Sequence, residues 1–153
     1  MGVSGAEALG EALKVNTCIS ELDLSNNKIT NEGLKFISSA LTINPSVTQL
    51  FLHNNALTDD GMRALSSAIS VNRSIAFLVM TENNITDVGA KILCEGMKQN
   101  FSLTSLSLDE DSVSKPVMKQ IQEIIMTRPG RQPSFCSCCC NEMELCGGET
   151  DQR

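Results

Sequence analysis

The sequence is poor in aromatic residues and has no long apolar segment. It contains no Trp and no Tyr, and its five Phe make up 3% of the 153 residues. A folded core must therefore be aliphatic, which the 41% hydrophobic content allows. No stretch approaches the roughly 18 apolar residues that span a bilayer. Residues 1–16 lack the basic and apolar regions of a secretory signal, so a cytoplasmic location is expected.

Basic and metal-binding residues are also scarce. The chain has 12 Lys and Arg against 18 Asp and Glu, a formal net charge of −6. Phosphate recognition needs clustered cations, and no cluster is present, so nucleic acid is not an expected partner. The only histidine, His53, has no metal ligand at a suitable spacing in its own segment. No nucleophile with its base, no phosphate loop and no metal set is recognisable, so neither an enzyme nor a cofactor is expected.

Instead, the chain repeats with a period of 28 residues. Three residue types share the period: Leu22, Leu50, Leu78 and Leu106; Asn16, Asn44, Asn72 and Asn100; and Gly33, Gly61 and Gly89. A fixed period of this length marks a solenoid, in which each unit buries its apolar side by stacking on its neighbours.

One unit combines a short strand with a helix. In residues 47–72, Leu50 and Leu52 alternate as in a strand with one buried face. Thr58 or Asp59 is expected to cap the helix that follows, and Asn72 to end it in the left-handed conformation. The fourth unit departs from the pattern because Asp111 replaces the asparagine of the other units.

The units resemble leucine-rich repeats of the ribonuclease-inhibitor-like class, which occur in cytosolic innate-immune receptors and leucine-rich bacterial effectors. The residues that carry the resemblance are Leu22 to Gly33, Leu50 to Gly61 and Leu78 to Gly89. It implies an α/β solenoid with a curved parallel sheet inside and helices outside. It also implies a ladder of Asn27, Asn55 and Asn83 that bridges the turns and breaks at Asp111.

The period sets the expected domain boundaries. Residues 1–128 are predicted to form a leading half-repeat helix and four repeats, the fourth degenerate. Residues 129–153 lose the period and are predicted to be a cysteine-rich, disordered tail. The start on a half-unit also fits an excised fragment of a larger receptor or effector, and exposed solenoid ends would permit self-association.

Alternation along the strands predicts three rows of side chains on the concave face. The first is Glu21, Gln49, Phe77 and Ser105, the second Asp23, Phe51, Val79 and Ser107, and the third Ser25, His53, Thr81 and Asp109. An apolar centre of Phe51, Phe77 and Val79 within a polar rim is typical of a protein interface. Alternatively, the two phenylalanines only cover each other and the neighbouring strands.

The predicted function is therefore a non-catalytic module that binds another protein. The interface is predicted at Glu21, Asp23, Gln49, Phe51, His53, Phe77, Val79, Thr81, Ser107 and Asp109. The partner's identity does not follow from the sequence.

The tail has several interpretations, of which a tail without specific structure is favoured. Cys136, Cys138, Cys139 and Cys140 could be S-acylated, which would make the chain a membrane-anchored adaptor. A zinc site is disfavoured by the spacing, and a disulfide framework by the absence of a secretion signal. A membrane is thus an expected partner only if the tail is acylated.

Overall fold

Helices and strands alternate along the computed structural model, which describes residues 1–127. The elements are α1 (Val3–Val15), β1 (Glu21–Asp23), α2 (Thr30–Leu41), β2 (Gln49–Phe51), α3 (Asp59–Val71), β3 (Phe77–Val79), α4 (Asp87–Met97), β4 (Ser105–Ser107) and α5 (Lys115–Met126). The strands form one parallel sheet in the order β1-β2-β3-β4. This confirms the predicted α/β solenoid of about four units.

The sheet register follows the 28-residue period. Glu21 pairs with Gln49, which pairs with Phe77, which pairs with Ser105. Each strand has only three residues, so its central leucine points into the core and its two outer residues face the other way. The first two predicted rows therefore run across the sheet as expected.

The core lies between the sheet and the helices and is aliphatic, as the composition predicts. Leu50 and Leu78 are fully buried and Leu22 nearly so, whereas Leu106 is only half-buried. The four phenylalanines of the described residues are all at least partly exposed. Because Leu106 is less buried than the other strand leucines, packing in the core is weaker at the fourth unit.

Buried asparagines join the turns that follow the strands. Asn55 Oδ1 accepts hydrogen bonds from the backbone N–H groups of Asn27 (3.1 Å) and Ile29 (3.2 Å), and its Nδ2 donates to the Leu24 carbonyl (2.8 Å). Asn83 makes the same set of hydrogen bonds: its Oδ1 accepts from the N–H groups of Asn55 and Leu57, and its Nδ2 donates to the Leu52 carbonyl. Each asparagine thus satisfies buried backbone groups of the preceding unit.

The ladder does not simply stop at the fourth unit, because Asp109 takes over part of its role. The Asp109 carboxylate accepts hydrogen bonds from the N–H groups of Glu82 (2.9 Å) and Asn83 (3.3 Å). The Met80 carbonyl accepts one from Asn83's own Nδ2 (2.9 Å). Asp111 is exposed and does not continue the ladder.

A second asparagine ladder joins the ends of the helices. Asn72 Nδ2 donates to the carbonyls of Leu41 (2.8 Å) and Asn44 (3.2 Å), and its Oδ1 accepts from Ile75 N–H (2.8 Å). The equivalent bonds recur at Asn44 and Asn100. Asn72 itself is extended, with φ −64° and ψ 142°, so the prediction of a left-handed helix end was wrong. These residues recur because their amides bridge neighbouring helix ends.

The starts of the helices are also linked from unit to unit. Thr58 precedes α3 but makes no side-chain cap, and Asp59 reaches the next unit instead. Its carboxylate accepts hydrogen bonds from Thr86 N–H (2.8 Å), Thr86 Oγ1 (2.7 Å) and Gly89 N–H (3.0 Å). A Cβ at Gly89 would collide with this carboxylate, which explains the glycine. The predicted capping of α3 was therefore wrong for both residues.

Candidate binding surface on the concave face

The outer residues of the strands form the concave face. Glu21 and Asp23 on β1 are exposed, whereas Gln49 and Phe51 on β2 are half-buried. Ser105 and Ser107 on β4 are also half-buried. The strand alternation thus places the first two predicted rows on one surface, polar at both ends of the sheet.

An apolar cluster occupies the two central strands. Phe51 on β2 pairs with Val79 on β3, and Phe77 lies two residues before Val79 on the same strand. Phe77 is 47% exposed, while Phe51 and Val79 are half-buried. Because neighbouring strands lie about 4.8 Å apart, these side chains form one contiguous patch. The neighbouring residues thus cover Phe51 in part and leave half of Phe77 exposed.

The third row lies just beyond the strands. His53 Nδ1 is 3.1 Å from Thr81 Oγ1, and His53 Nε2 is 3.6 Å from Glu82 Oε2. Glu82 was not among the predicted site residues. It comes next to this row because residue 82 adopts the left-handed conformation, with φ 55°, in a turn that strand alternation does not describe. Asp109 is half-buried and holds the adjacent turn through the backbone bonds given above.

The electrostatic character of the face is acidic. Asp23 Oδ1 accepts a hydrogen bond from Ser25 N–H (2.9 Å). Hydrogen bonds from the backbone and side chain of Ser25 lower the pKa of Asp23 below its usual value, and the nearby His53 adds a smaller effect in the same direction. Asp23 is consequently ionised at neutral pH.

Exposed aliphatic side chains form another surface that the strand rows do not include. Val15, Ile43 and Val71 are 82%, 63% and 53% exposed and are spaced 28 residues apart at the helix ends. We call these three residues the helix-end row. The same period would have identified it if helix positions had been aligned like the strand positions.

The remaining features that the sequence raises are lipidation of the tail, metal binding and membrane-spanning helices. The lipidation candidates Cys136, Cys138, Cys139 and Cys140 lie outside the described residues. Within residues 1–127, no group of three or more His, Cys, Asp or Glu side chains could hold a metal ion. No helix in this part of the chain is long and apolar enough to cross a membrane.

Comparisons with known proteins address the fold. The family model described as Leucine Rich repeat matches residues 15–38, 44–66 and 71–94. No curated protein matches the sequence. Actin-binding site 2 of leiomodin-1 has a similar structure, with a TM-score of 0.73 and 19% identity over 82% of this chain and 72% of that chain. A tropomodulin C-terminal domain from Caenorhabditis elegans has a TM-score of 0.55 and 16% identity over 78% of this chain and 90% of that chain.

At 19% and 16% identity, the likeness to these two solved structures shows a shared fold alone. The matched segments contain the strand leucines Leu22, Leu50 and Leu78 and the buried asparagines Asn44, Asn55, Asn72 and Asn83. The repeat pattern, the parallel sheet and the family match agree. The chain is a leucine-rich repeat protein, and its alternating strands and helices are consistent with the ribonuclease-inhibitor-like class.

Proposed function

We propose that this protein is a non-catalytic module that binds a protein partner in the cytoplasm through its concave face. The observation that carries the proposal is the contiguous patch of Phe51, Phe77 and Val79, in which Phe77 is 47% exposed. A solenoid that stacks short units offers an extended concave surface, and such surfaces commonly bind proteins.

The arrangement of the patch supports this function. Stable interfaces combine a buried apolar centre with a polar rim, and a few aromatic anchors contribute most of the binding energy. Here the aromatic residues lie on the two central strands, with Glu21 and Asp23 on one side and Ser107 and Asp109 on the other. Burial of Phe77 by a partner would remove the most exposed apolar side chain of the sheet from water.

The test is a double variant, Phe51→Ser with Phe77→Ser, compared with Val71→Ser. Val71 is a matched control because it is 53% exposed and lies on the helix-end row, at the end of α3 and not on a strand. Affinity capture from cytosolic extract identifies proteins that bind the unchanged chain, and purified actin is the first defined probe because one structural neighbour is an actin-binding site.

The double variant should weaken the captured interaction at least tenfold, because interface aromatics are frequent hot spots. The Val71→Ser variant should bind as the unchanged chain does. Thermal unfolding checks that all three proteins remain folded. If the double variant binds normally and Val71→Ser does not, the helix-end row is the interface and the concave-face proposal fails.

A further inference from the structure

We infer that the concave face selects a partner segment in which apolar side chains are flanked by Lys or Arg. The inference rests on the proposed function and adds the chemistry of the partner. It is carried by the charge of the face and by the position of the apolar patch between two acidic flanks.

All formal charges in the three concave rows are negative. The twelve positions include Glu21, Asp23 and Asp109 but no Lys or Arg. The turn after β3 adds a fourth carboxylate, Glu82, which is exposed. Lys28, in the turn after β1, and Arg73, before β3, lie outside the three rows, as Glu82 does. When a partner covers this surface, the charged side chains of the partner therefore come close to these carboxylates.

Little within the described chain neutralises these carboxylates. In residues 1–127, the four Lys–Glu ion pairs lie on helices: Glu11 with Lys14, Glu32 with Lys35, Glu95 with Lys98 and Lys119 with Glu123. On the concave side of the described residues, His53 Nε2 lies 3.6 Å from Glu82 Oε2, a contact that is an ion pair only with the protonated imidazole. Glu21 and Asp23 thus lie outside ion-pair distance of any described Lys or Arg. Acidic side chains of a partner would repel these carboxylates and weaken binding, whereas Lys or Arg side chains would strengthen binding and speed association.

The distances across the sheet define the spacing of the partner's cations. The apolar patch lies on β2 and β3, Glu21 and Asp23 lie on β1, and Asp109 follows β4. Three strand spacings of about 4.8 Å separate β1 from β4, or about 14 Å. An extended segment crossing the strands covers this distance in about four residues. We therefore expect two basic residues about four positions apart, with apolar side chains between them.

Three sets of twelve-residue peptides test the inference. All carry the same pair of apolar residues, flanked by Lys in the first set, Ser in the second and Glu in the third. Binding to the full chain is measured by fluorescence anisotropy at low and high salt. The Lys-flanked peptides should bind at least tenfold more tightly than the Ser-flanked ones, the Glu-flanked ones least, and salt should reduce the difference.

Two variants assign the preference to the concave carboxylates. Glu21→Gln combined with Asp23→Asn removes both charges while retaining side-chain size and an oxygen that can accept the Ser25 hydrogen bond. This variant should lose most of the preference for Lys over Ser. Glu32→Gln is the control, because it removes one exposed carboxylate from a helix.

The outcomes separate this inference from the proposed function. Equal binding of the three sets, or binding of none, overturns the charge selection. If the sets bind equally but Phe51→Ser with Phe77→Ser abolishes binding, the concave interface stands without the charge preference. If that double variant leaves Lys-flanked binding unchanged, the concave-face function itself fails.

Discussion

Ser38 and Ser66 show how residues at equivalent positions of the repeat can have different environments. Both are buried in helices, 28 residues apart. Ser66 Oγ donates to the Ile92 carbonyl (2.7 Å) and accepts from Gly96 N–H (3.1 Å). A Cβ at Gly96 would collide with the Ser66 backbone, so the glycine permits this close contact of α3 with α4. Within residues 1–127, Ser38 Oγ is buried without a hydrogen-bond partner.

Removing these two hydroxyls should have opposite effects on stability. A buried hydroxyl without a partner costs about 1–3 kcal/mol, so Ser38→Ala should raise the free energy of unfolding by about 1 kcal/mol. Ser66→Ala should lower it by about 1 kcal/mol because two hydrogen bonds are lost. Urea unfolding followed by circular dichroism measures both, since the chain has no Trp. A loss of stability in Ser38→Ala would show that its hydroxyl has a partner in solution.

At the scale of elements, side chains near the helix starts fasten each unit to the next. Asn31 bonds to Thr58, Asp59 to Thr86 and Asp87 to Ser114. The links run through three successive unit boundaries, although the bridging side chain changes from an amide to a carboxylate. The link that Asp87 makes should consequently respond to pH.

Asp87 gives a specific pH prediction. Hydrogen bonds from Ser114, first from its backbone N–H and then from its hydroxyl (both 2.7 Å), lower the pKa of Asp87 below its usual value. A depressed carboxyl pKa stabilises the fold above the unfolded value, and this contribution disappears as the pH falls through the folded value. Asp87→Asn should therefore be less stable than the unchanged protein at neutral pH, with a difference that shrinks as the pH falls below the usual pKa of an Asp carboxyl.

Unfolding of both proteins at a series of pH values measures this difference, and an NMR titration of Asp87 checks its cause. Ser114→Ala should raise the pKa of Asp87 only part of the way, because the backbone donor remains. A stability difference that stays constant into acid would show that the Asp87 charge does not contribute through this bond.

The sequence predicts those parts of the elements that repeat without exception. Leu22, Leu50 and Leu78 determine the register because a strand that slipped by one residue would expose all three. The same register correctly places Phe51, Phe77 and Val79 on neighbouring strands. The hydrogen bonds from the backbone of Glu82 and Asn83 to Asp109 could not be predicted. The repeat places the ladder asparagine at position 111, and Asp109 lies two residues before it. Asp59 was misassigned because its partners belong to the next unit.

At the scale of the whole molecule, the decay of the repeat should appear as a gradient of stability. Units of a solenoid contact mainly their neighbours, so local opening free energies reflect local interfaces. The central units have fully buried strand leucines and complete asparagine bridges. The fourth unit has a half-buried Leu106, and Asp109 supplies only the acceptor part of a bridge.

Native-state hydrogen exchange should therefore show lower protection in β4 and α5 than in β2, β3 and α3. Within this gradient, Asp109→Ala should speed exchange at the amides of Glu82 and Asn83, which lose their acceptor, and leave the amides of Asn27 and Ile29 unchanged because they bond to Asn55. Mass spectrometry of the intact chain and of its peptides measures both effects. Equal protection from β2 to α5 would mean that the four units open only together, in which case coupling between units outweighs the missing bridge of the fourth.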